Sequence, residues 1–296
     1  MSGENPLATA SFEYQRHWSA GPRAIISRRL PRALRKRLKY LALLPFDVIE
    51  RITGRRKALV PPRRLNYAGD GEFEATGNEF MSYFMELGGL KPGHRVLEIG
   101  SGIGRMARPL TDYLTSGTYD GVDIVPRGVR WCQREIGRRY PQFHFHLADI
   151  TNPMYNPRGR FKGTEYQFPF QNNSFDFVFL TSVFTHMMTP EVEHYTSEIF
   201  RMLQPGGKFL ATFFLLNQES RDLIRNGSSS LEFRFSHDGA YIDDENDPAR
   251  AVAFEQDAIA GLLHRKGFAA ESLYFGAWCG RSNYLSFQDI LVCGKS

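Results

Sequence analysis

The chain has 296 residues, 42% of them hydrophobic, enough for one large α/β domain with an appendage. Its three cysteines, Cys132, Cys279 and Cys293, form no CxxC pair, which excludes a disulfide scaffold and a zinc cluster. No stretch approaches the roughly 18 apolar residues of a membrane span, and Met1 to Ala10 lacks the basic start and apolar run of a signal peptide, so a cytoplasmic protein is expected. The net charge of +5 conceals an asymmetry. Between Arg16 and Arg64 stand 15 Lys and Arg against Asp47 and Glu50, whereas residues 65–296 are mildly acidic.

In chain order, Pro31 suits the first turn of a helix that runs to Leu44, with Leu34, Leu38, Leu41 and Leu44 in one apolar stripe. Pro45 is expected to end it, with a second short helix over Asp47 to Ile52. Pro61-Pro62 marks the boundary between a basic, partly helical extension (1–64) and a body (65–296). The body alternates strands and helices, the pattern of a mostly parallel sheet with helices on both faces. Strands are expected at Arg95 to Ile99, Tyr119 to Ile124, Phe143 to Leu147, Phe175 to Thr181, Lys208 to Leu215, Glu271 to Cys279 and Phe287 to Cys293. Helices are expected at Glu79 to Gly88, Arg105 to Leu114, Gly128 to Tyr140, Glu191 to Leu203 and Phe254 to Lys266. A polar insertion at 217–250 interrupts the rhythm and reads as a lid.

The first strand of the body runs into Gly100-Ser101-Gly102-Ile103-Gly104 and then a helix. Glycines there let the backbone turn sharply and approach a ligand closely. Nicotinamide and flavin folds use a similar turn, but the spacing here is GxGxG, not GxGxxG. Glu98, two residues before the first glycine, suits a charged amine and opposes a pyrophosphate.

With these residues in place, the chain resembles the class I S-adenosylmethionine-dependent methyltransferase family. The resemblance rests on Val96 to Gly104, Gly121-Val122-Asp123, Leu147-Ala148-Asp149-Ile150, Asp176 within Ser174 to Phe179, and Arg201 to Leu210. It implies a doubly wound, mostly parallel seven-stranded sheet of the Rossmann-like methyltransferase fold. It also implies S-adenosylmethionine as cofactor: Glu98, Gly100, Ser101, Gly102 and Gly104 around the methionine part, Asp123 on the ribose hydroxyls, Asp149 on the adenine amine, and Ile124, Ile150 and Thr181 lining the rest. Asp176 and the Pro205-Gly206-Gly207 turn are architectural on the same grounds. Softer matches, at Asn152 to Gly159, Ser182 to Met187, Gly276 to Arg281 and Ser286 to Asp289, resemble bacterial methyltransferases that accompany surface-polysaccharide genes.

Ligands of open α/β sheets sit beyond the carboxyl ends of the strands. His186, just past the fourth strand, is therefore the candidate general base, competing with a purely local hydrogen-bonding role. Tyr67, Phe184, His237 and Trp278 are candidate acceptor contacts. Strand four is not followed by the Asn/Asp-Pro-Pro-aromatic sequence of exocyclic-amine methylation, no Pro-Cys nucleophile is present, and no carboxylate cluster has magnesium-ligand spacing. By elimination, oxygen on a sugar, glycan or other small hydroxylated acceptor is expected, and no metal.

The basic extension has three competing readings: peripheral contact with an anionic membrane surface through residues 16–64, at the inner face of the membrane; nucleic-acid binding, ranked lower because few aromatics interleave the charges; and a helix packed on the body with a solvated charged face. A nucleic-acid methyltransferase using this segment and a non-catalytic cofactor-binding scaffold are the alternative functions.

Overall fold

The computed structural model describes residues 32–66 and 72–296. A 21-residue helix, α1 (Arg32–Ile52), opens the described chain and continues through Pro45. The expected break at Pro45 is thus absent. A proline costs one backbone hydrogen bond, and here Asp47, two residues on, fastens the distal half of the helix. Its carboxylate accepts from the backbone N–H of Arg63 (2.7 Å) and of Arg64 (3.3 Å).

The body follows as α2 (Phe73–Glu86), β1 (Arg95–Ile99), α3 (Ala107–Tyr113), β2 (Thr118–Asp123), α4 (Pro126–Cys132), β3 (Phe143–Leu147), β4 (Phe175–Leu180), α5 (Thr189–Met202) and β5 (Leu203–Phe213). Helix α4 is shorter than its pattern suggested, because Gln133–Gly137 winds as a π-turn. Then come β6 (Leu215–Leu216), α6 (Gln218–Arg225), β7 (Phe235–His237), β8 (Ala240–Ile242), β9 (Val252–Glu255), α7 (Gln256–Arg265), β10 (Phe268–Tyr274) and β11 (Asp289–Lys295).

Seven strands form one sheet in the order β10-β11-β5-β4-β1-β2-β3. The β1 to β5 ladders are parallel, and β11 enters antiparallel between β5 and β10. Both faces are apolar because side chains alternate along each strand. Leu97, Val178, Phe209 and Ala211 pack under α5 and α7, while Val96, Phe177, Leu210 and Ile290 pack against the layer of α2, α3 and α4. The chain leaves β1 and β4 toward opposite sides, so a crevice opens beyond their carboxyl ends.

The insertion has structure of its own. Strands β7 and β8 form a hairpin that joins β9 and β6 in a second sheet, order β6-β9-β8-β7. Beneath it lies a separate apolar cluster of Phe214, Leu231, Phe233, Ala253 and Trp278.

Candidate active site

The loop after β1 is fixed from within. Gly100, Gly102 and Gly104 all have positive φ, at 89°, 57° and 77°, a region that costs side-chain-bearing residues. A Cβ on Gly100 would stand 2.3 Å from Val183 Cγ2, and one on Gly104 would stand 2.7 Å from Ile136 Cδ1. Glycine is therefore demanded by backbone conformation and by packing of the loop against its own neighbours. The backbone N–H groups of Gly100 and Ser101 donate to the Val122 carbonyl at 2.7 and 3.0 Å, tying the loop to the end of β2.

Asp123 completes that tie. Its Oδ2 accepts from Gly102 N at 2.7 Å and its Oδ1 from Val125 N at 2.7 Å. One carboxylate thus holds both the middle of the loop and the chain leaving β2. Glu98, buried under the same loop, accepts a short hydrogen bond from the Tyr119 hydroxyl. Burial pushes its carboxyl up to about 8, with the Asp123 charge adding to the rise, while Tyr119 and Arg105 oppose it. Ser101 Oγ lies buried in the loop without a hydrogen-bond partner. A buried hydroxyl of this kind is costly unless a ligand engages it. The donor set fits a ligand carrying both a cation and hydroxyls: an acidic pocket at Glu98, an unpaired hydroxyl at Ser101 and an acceptor at Asp123.

The other expected cofactor residues are placed as follows. Ile124 is half-buried against the core and Ile150 is buried in it. Thr181 is half-buried at the end of β4. Asp149 is exposed, with its side chain accepting from the Arg160 N–H at 3.2 Å. It organises the turn back to Phe161, whose exposed ring carries the Arg160 guanidinium 4.9 Å above it.

His186 ends a short 3₁₀ turn, Phe184–His186, directly beyond β4. Its Nδ1 lies 2.8 Å from the Ala249 carbonyl, contributed by the insertion. A carbonyl accepts only, so Nδ1 carries the proton and Nε2 is the basic nitrogen of the neutral ring. Burial lowers its pKa, opposed by the backbone carbonyls of Ala249 and Arg250.

Two contributors lay outside the sequence reading. Tyr155 stands edge-on to His186 with ring centroids 6.3 Å apart, and its hydroxyl is pushed up by burial and by the Asp123 charge. It therefore stands beside the base candidate, within the field of the Asp123 carboxylate. Asn152 Oδ1 accepts from the N–H groups of Met154 and Tyr155, both at 3.0 Å, and so shapes the turn that presents the ring. The second is Ser182, whose φ of +56° is rare for a residue with a side chain. Its N–H donates to Thr212 Oγ1 (2.7 Å), Thr212 donates to Gln288 Oε1 (2.7 Å), and Gln288 Nε2 donates to Ser182 Oγ (3.0 Å). This ring of polar groups caps β4, β5 and the start of β11 at the mouth of the crevice. The quoted segments Asn152 to Gly159 and Ser182 to Met187 contained both residues, but nothing local separated them from their neighbours.

The acceptor-contact expectations fare differently. Phe184 is buried in the main core against Phe213, ring centroids 5.2 Å apart. Trp278 is 1% exposed, and its indole N–H donates to Asp289 at 2.8 Å. Both are corrected to core residues, because an aromatic ring enclosed on all sides presents no surface to an acceptor. His237 is half-exposed on the β7–β8 hairpin beside Asp238 (3.8 Å). Tyr67 lies outside the described residues.

Residues 97–211, from β1 to β5, match the family model described as a methyltransferase domain. This segment is a methyltransferase domain. Its mostly parallel sheet with flanking helices is the Rossmann-like methyltransferase fold. Among curated relatives of the chain, sterol 24-C-methyltransferase of Yarrowia lipolytica is 32% identical over 48% of this chain and 33% of its own length. Phthiotriol/phenolphthiotriol dimycocerosates methyltransferase of Mycobacterium leprae is 30% identical over 39% and 36%. The chain thus spans about a third of the length of these relatives. The PH0226 protein of Pyrococcus horikoshii shares the fold of the methyltransferase domain and its flanking elements, with a TM-score of 0.53 at 17% identity, covering 75% of this chain and 90% of that one.

Proposed function

We propose that the whole chain methylates a hydroxyl oxygen of a sugar, glycan or other small hydroxylated acceptor, working in the cytoplasm at the inner face of a membrane. The observation that carries this reading is His186: its Nδ1 proton is committed to Ala249, which leaves Nε2 basic at the carboxyl end of β4. A hydroxyl loses its proton as its oxygen gains the methyl group, so a neutral base beside the crevice suits that acceptor. A tertiary amine, which has no proton to lose, would leave such a base with nothing to do.

S-adenosylmethionine supplies an already activated methyl group. Glu98, Ser101 and the turn from Gly100 to Gly104 would hold its methionine part, and Asp123 its ribose hydroxyls. Beyond this, the chain's residues align and desolvate. Tyr155 and the insertion close over His186, shedding water from the point where acceptor oxygen and methyl meet. The acceptor's proton passes to His186 Nε2 and leaves to solvent once the product dissociates. Relatives of the chain are named for sterol, phthiotriol and phosphoethanolamine substrates. They support methyl transfer to small or lipid molecules more than to nucleic acid.

The test is a screen of free glycans, lipid-linked sugars and phenols, with RNA and DNA as comparators, read as release of S-adenosylhomocysteine. Turnover on a hydroxylated acceptor, lost in H186A, supports the reading. Turnover confined to nucleic acid or to amines overturns it, as does absence of cofactor binding by calorimetry, and cofactor binding without turnover on any acceptor would leave the scaffold alternative.

A further inference from the structure

Helix α1 is mounted inside out. Ordinary surface helices turn an apolar stripe inward and charge outward. Here Asp47 is the inward residue, 2% exposed. It accepts from the backbone of Arg63 and Arg64, and its own carbonyl accepts from Arg56 Nη2 at 2.8 Å. The segment on which it docks is fixed to the body by Leu59, which packs into the same cluster as Phe80 and Phe84, and by the Lys57–Glu74 ion pair at 2.7 Å.

At 100° per residue, Leu38, Leu41, Pro45, Val48, Ile49 and Ile52 fall within an arc of about 100°, roughly opposite Asp47. These side chains face solvent: Leu41 is 61% exposed and Ile52 79%. Eight of the eleven exposed large apolar side chains among the described residues belong to this one helix. A contiguous patch of this kind on a polar-rimmed surface marks an interaction site.

The charge around the patch selects the occupant. The sequence from Arg16 to Arg64 carries a surplus of 13 positive charges, and Arg51 and Arg55 are exposed at the helix end. An apolar stripe within a basic surround is the composition that binds an anionic bilayer, with the stripe in the acyl boundary and the cations among the headgroups. No helix of the described residues is long and apolar enough to cross a membrane. A helix of 21 residues with one apolar face lies along the surface instead.

We infer that α1 is an in-plane membrane anchor, its Leu38–Ile52 face seated in an anionic lipid surface and its Asp47 face bearing the catalytic body. The inference deepens the membrane part of the proposed function and is independent of the methyl-transfer part. It replaces the reading of α1 as a helix packed on the body with a solvated charged face, since the solvated face is the apolar one.

The test uses the full chain and sedimentation with two kinds of vesicle, phosphatidylcholine alone and phosphatidylcholine with about a third phosphatidylglycerol. Wild type is expected to bind the anionic vesicles and to lose binding as salt rises. The double variant L41E/I52E is expected to bind more than about tenfold less, since two seated apolar side chains are replaced by repelled charges. Both substitutions lie on exposed positions, and unchanged calorimetric binding of S-adenosylmethionine checks that the variant is folded. Equal vesicle binding by variant and wild type overturns the inference, as does absence of binding by the wild type. A wild-type dimer that L41E/I52E converts to monomer, without vesicle binding, overturns it in favour of a second copy on this face. Each of those results leaves the cofactor measurement standing on its own.

Discussion

Tyr119 donates its hydroxyl hydrogen to Glu98 beneath the glycine loop, in a pocket closed to solvent. The bond favours the ionised carboxylate, yet burial and the Asp123 charge outweigh it and hold Glu98 at about 8. Unfolded, the group would titrate near 4.5. Below that value both states are protonated and the group contributes nothing to pH dependence. Between 4.5 and 8 the folded state keeps a proton that the unfolded state has lost. Stability therefore falls as pH rises through this window, by a few kcal/mol at most. The Glu98→Gln variant lacks the effect, so its stability relative to wild type should grow from pH 5 to pH 8.5 in urea denaturation. Parallel pH profiles would mean that Glu98 is already ionised in the native protein. The same variant should weaken S-adenosylmethionine binding, because a cationic amine beside Glu98 would favour its ionised form, whereas Gln stays neutral at every pH.

Asp123→Asn tests the tie between loop and strand. One of the two backbone donors, Gly102 N or Val125 N, would then face an amide NH₂. The expected cost is about 1–3 kcal/mol of stability, accompanied by loss of cofactor affinity in calorimetry. An Asn variant that binds the cofactor as wild type does would reduce Asp123 to loop support.

His186 titrates below the ordinary histidine range because burial disfavours its cation. The unfolded chain then binds the extra proton first, so acidification below about 6.5 destabilises the fold as the unfolded histidine charges. For the same reason kcat/KM should stay level through neutral pH and fall only in more acid solution. His186→Ala is expected to lower kcat by about 10²–10⁴ with little change in cofactor affinity. Full turnover in that variant would remove the base from the mechanism.

Asp289 is fully buried and collects four donors: Leu215 N and Gly276 N at 2.7 Å, Trp278 Nε1 at 2.8 Å and Arg281 Nη1 at 3.1 Å. Asp289→Ala leaves the buried Arg281 with only the exposed Glu219 carboxylate (2.9 Å) as an ionic partner, strips Leu215 N, Gly276 N and Trp278 Nε1 of their acceptor, and should cost about 3–5 kcal/mol. Trp278→Phe removes a single donor and should cost about 1–3 kcal/mol while leaving the acceptor KM unchanged. A raised KM in the folded Phe variant would return Trp278 to the acceptor site.

Gly100→Ala should abolish cofactor binding even when Val183→Ala makes room for the methyl group. The smaller neighbour relieves the 2.3 Å contact, but the φ of +89° remains. Rescue by the double variant would show that packing alone demands the glycine.

The sheet was legible because its signals are local. A strand buried on both faces is an apolar run wherever it sits, as Phe175 to Leu180 is, and a left-handed turn calls for glycine whatever surrounds it. For those reasons the parallel core, the loop from Gly100 to Gly104 and Asp123 at the end of β2 could be read directly. The continuity of α1 through Pro45 could not, since it depends on Asp47 meeting the backbone of Arg63 and Arg64, 16 and 17 residues away.

The sequence by itself determined the parallel core and the glycines of the turn after β1, because both signals are local. Tertiary structure alone decided which side chains face the crevice. Phe184 and Trp278 carry the same aromatic signal as Tyr155, yet core packing encloses the first two, while an Asn152-centred turn brings the third to His186. Ser182 gains its meaning only from Thr212 and Gln288, 30 and 106 residues later. The Leu stripe of α1 was visible as a pattern, but its direction was not. Periodicity fixes which residues share a face, whereas the face that meets water is set by where the rest of the chain docks, and here it docks on Asp47.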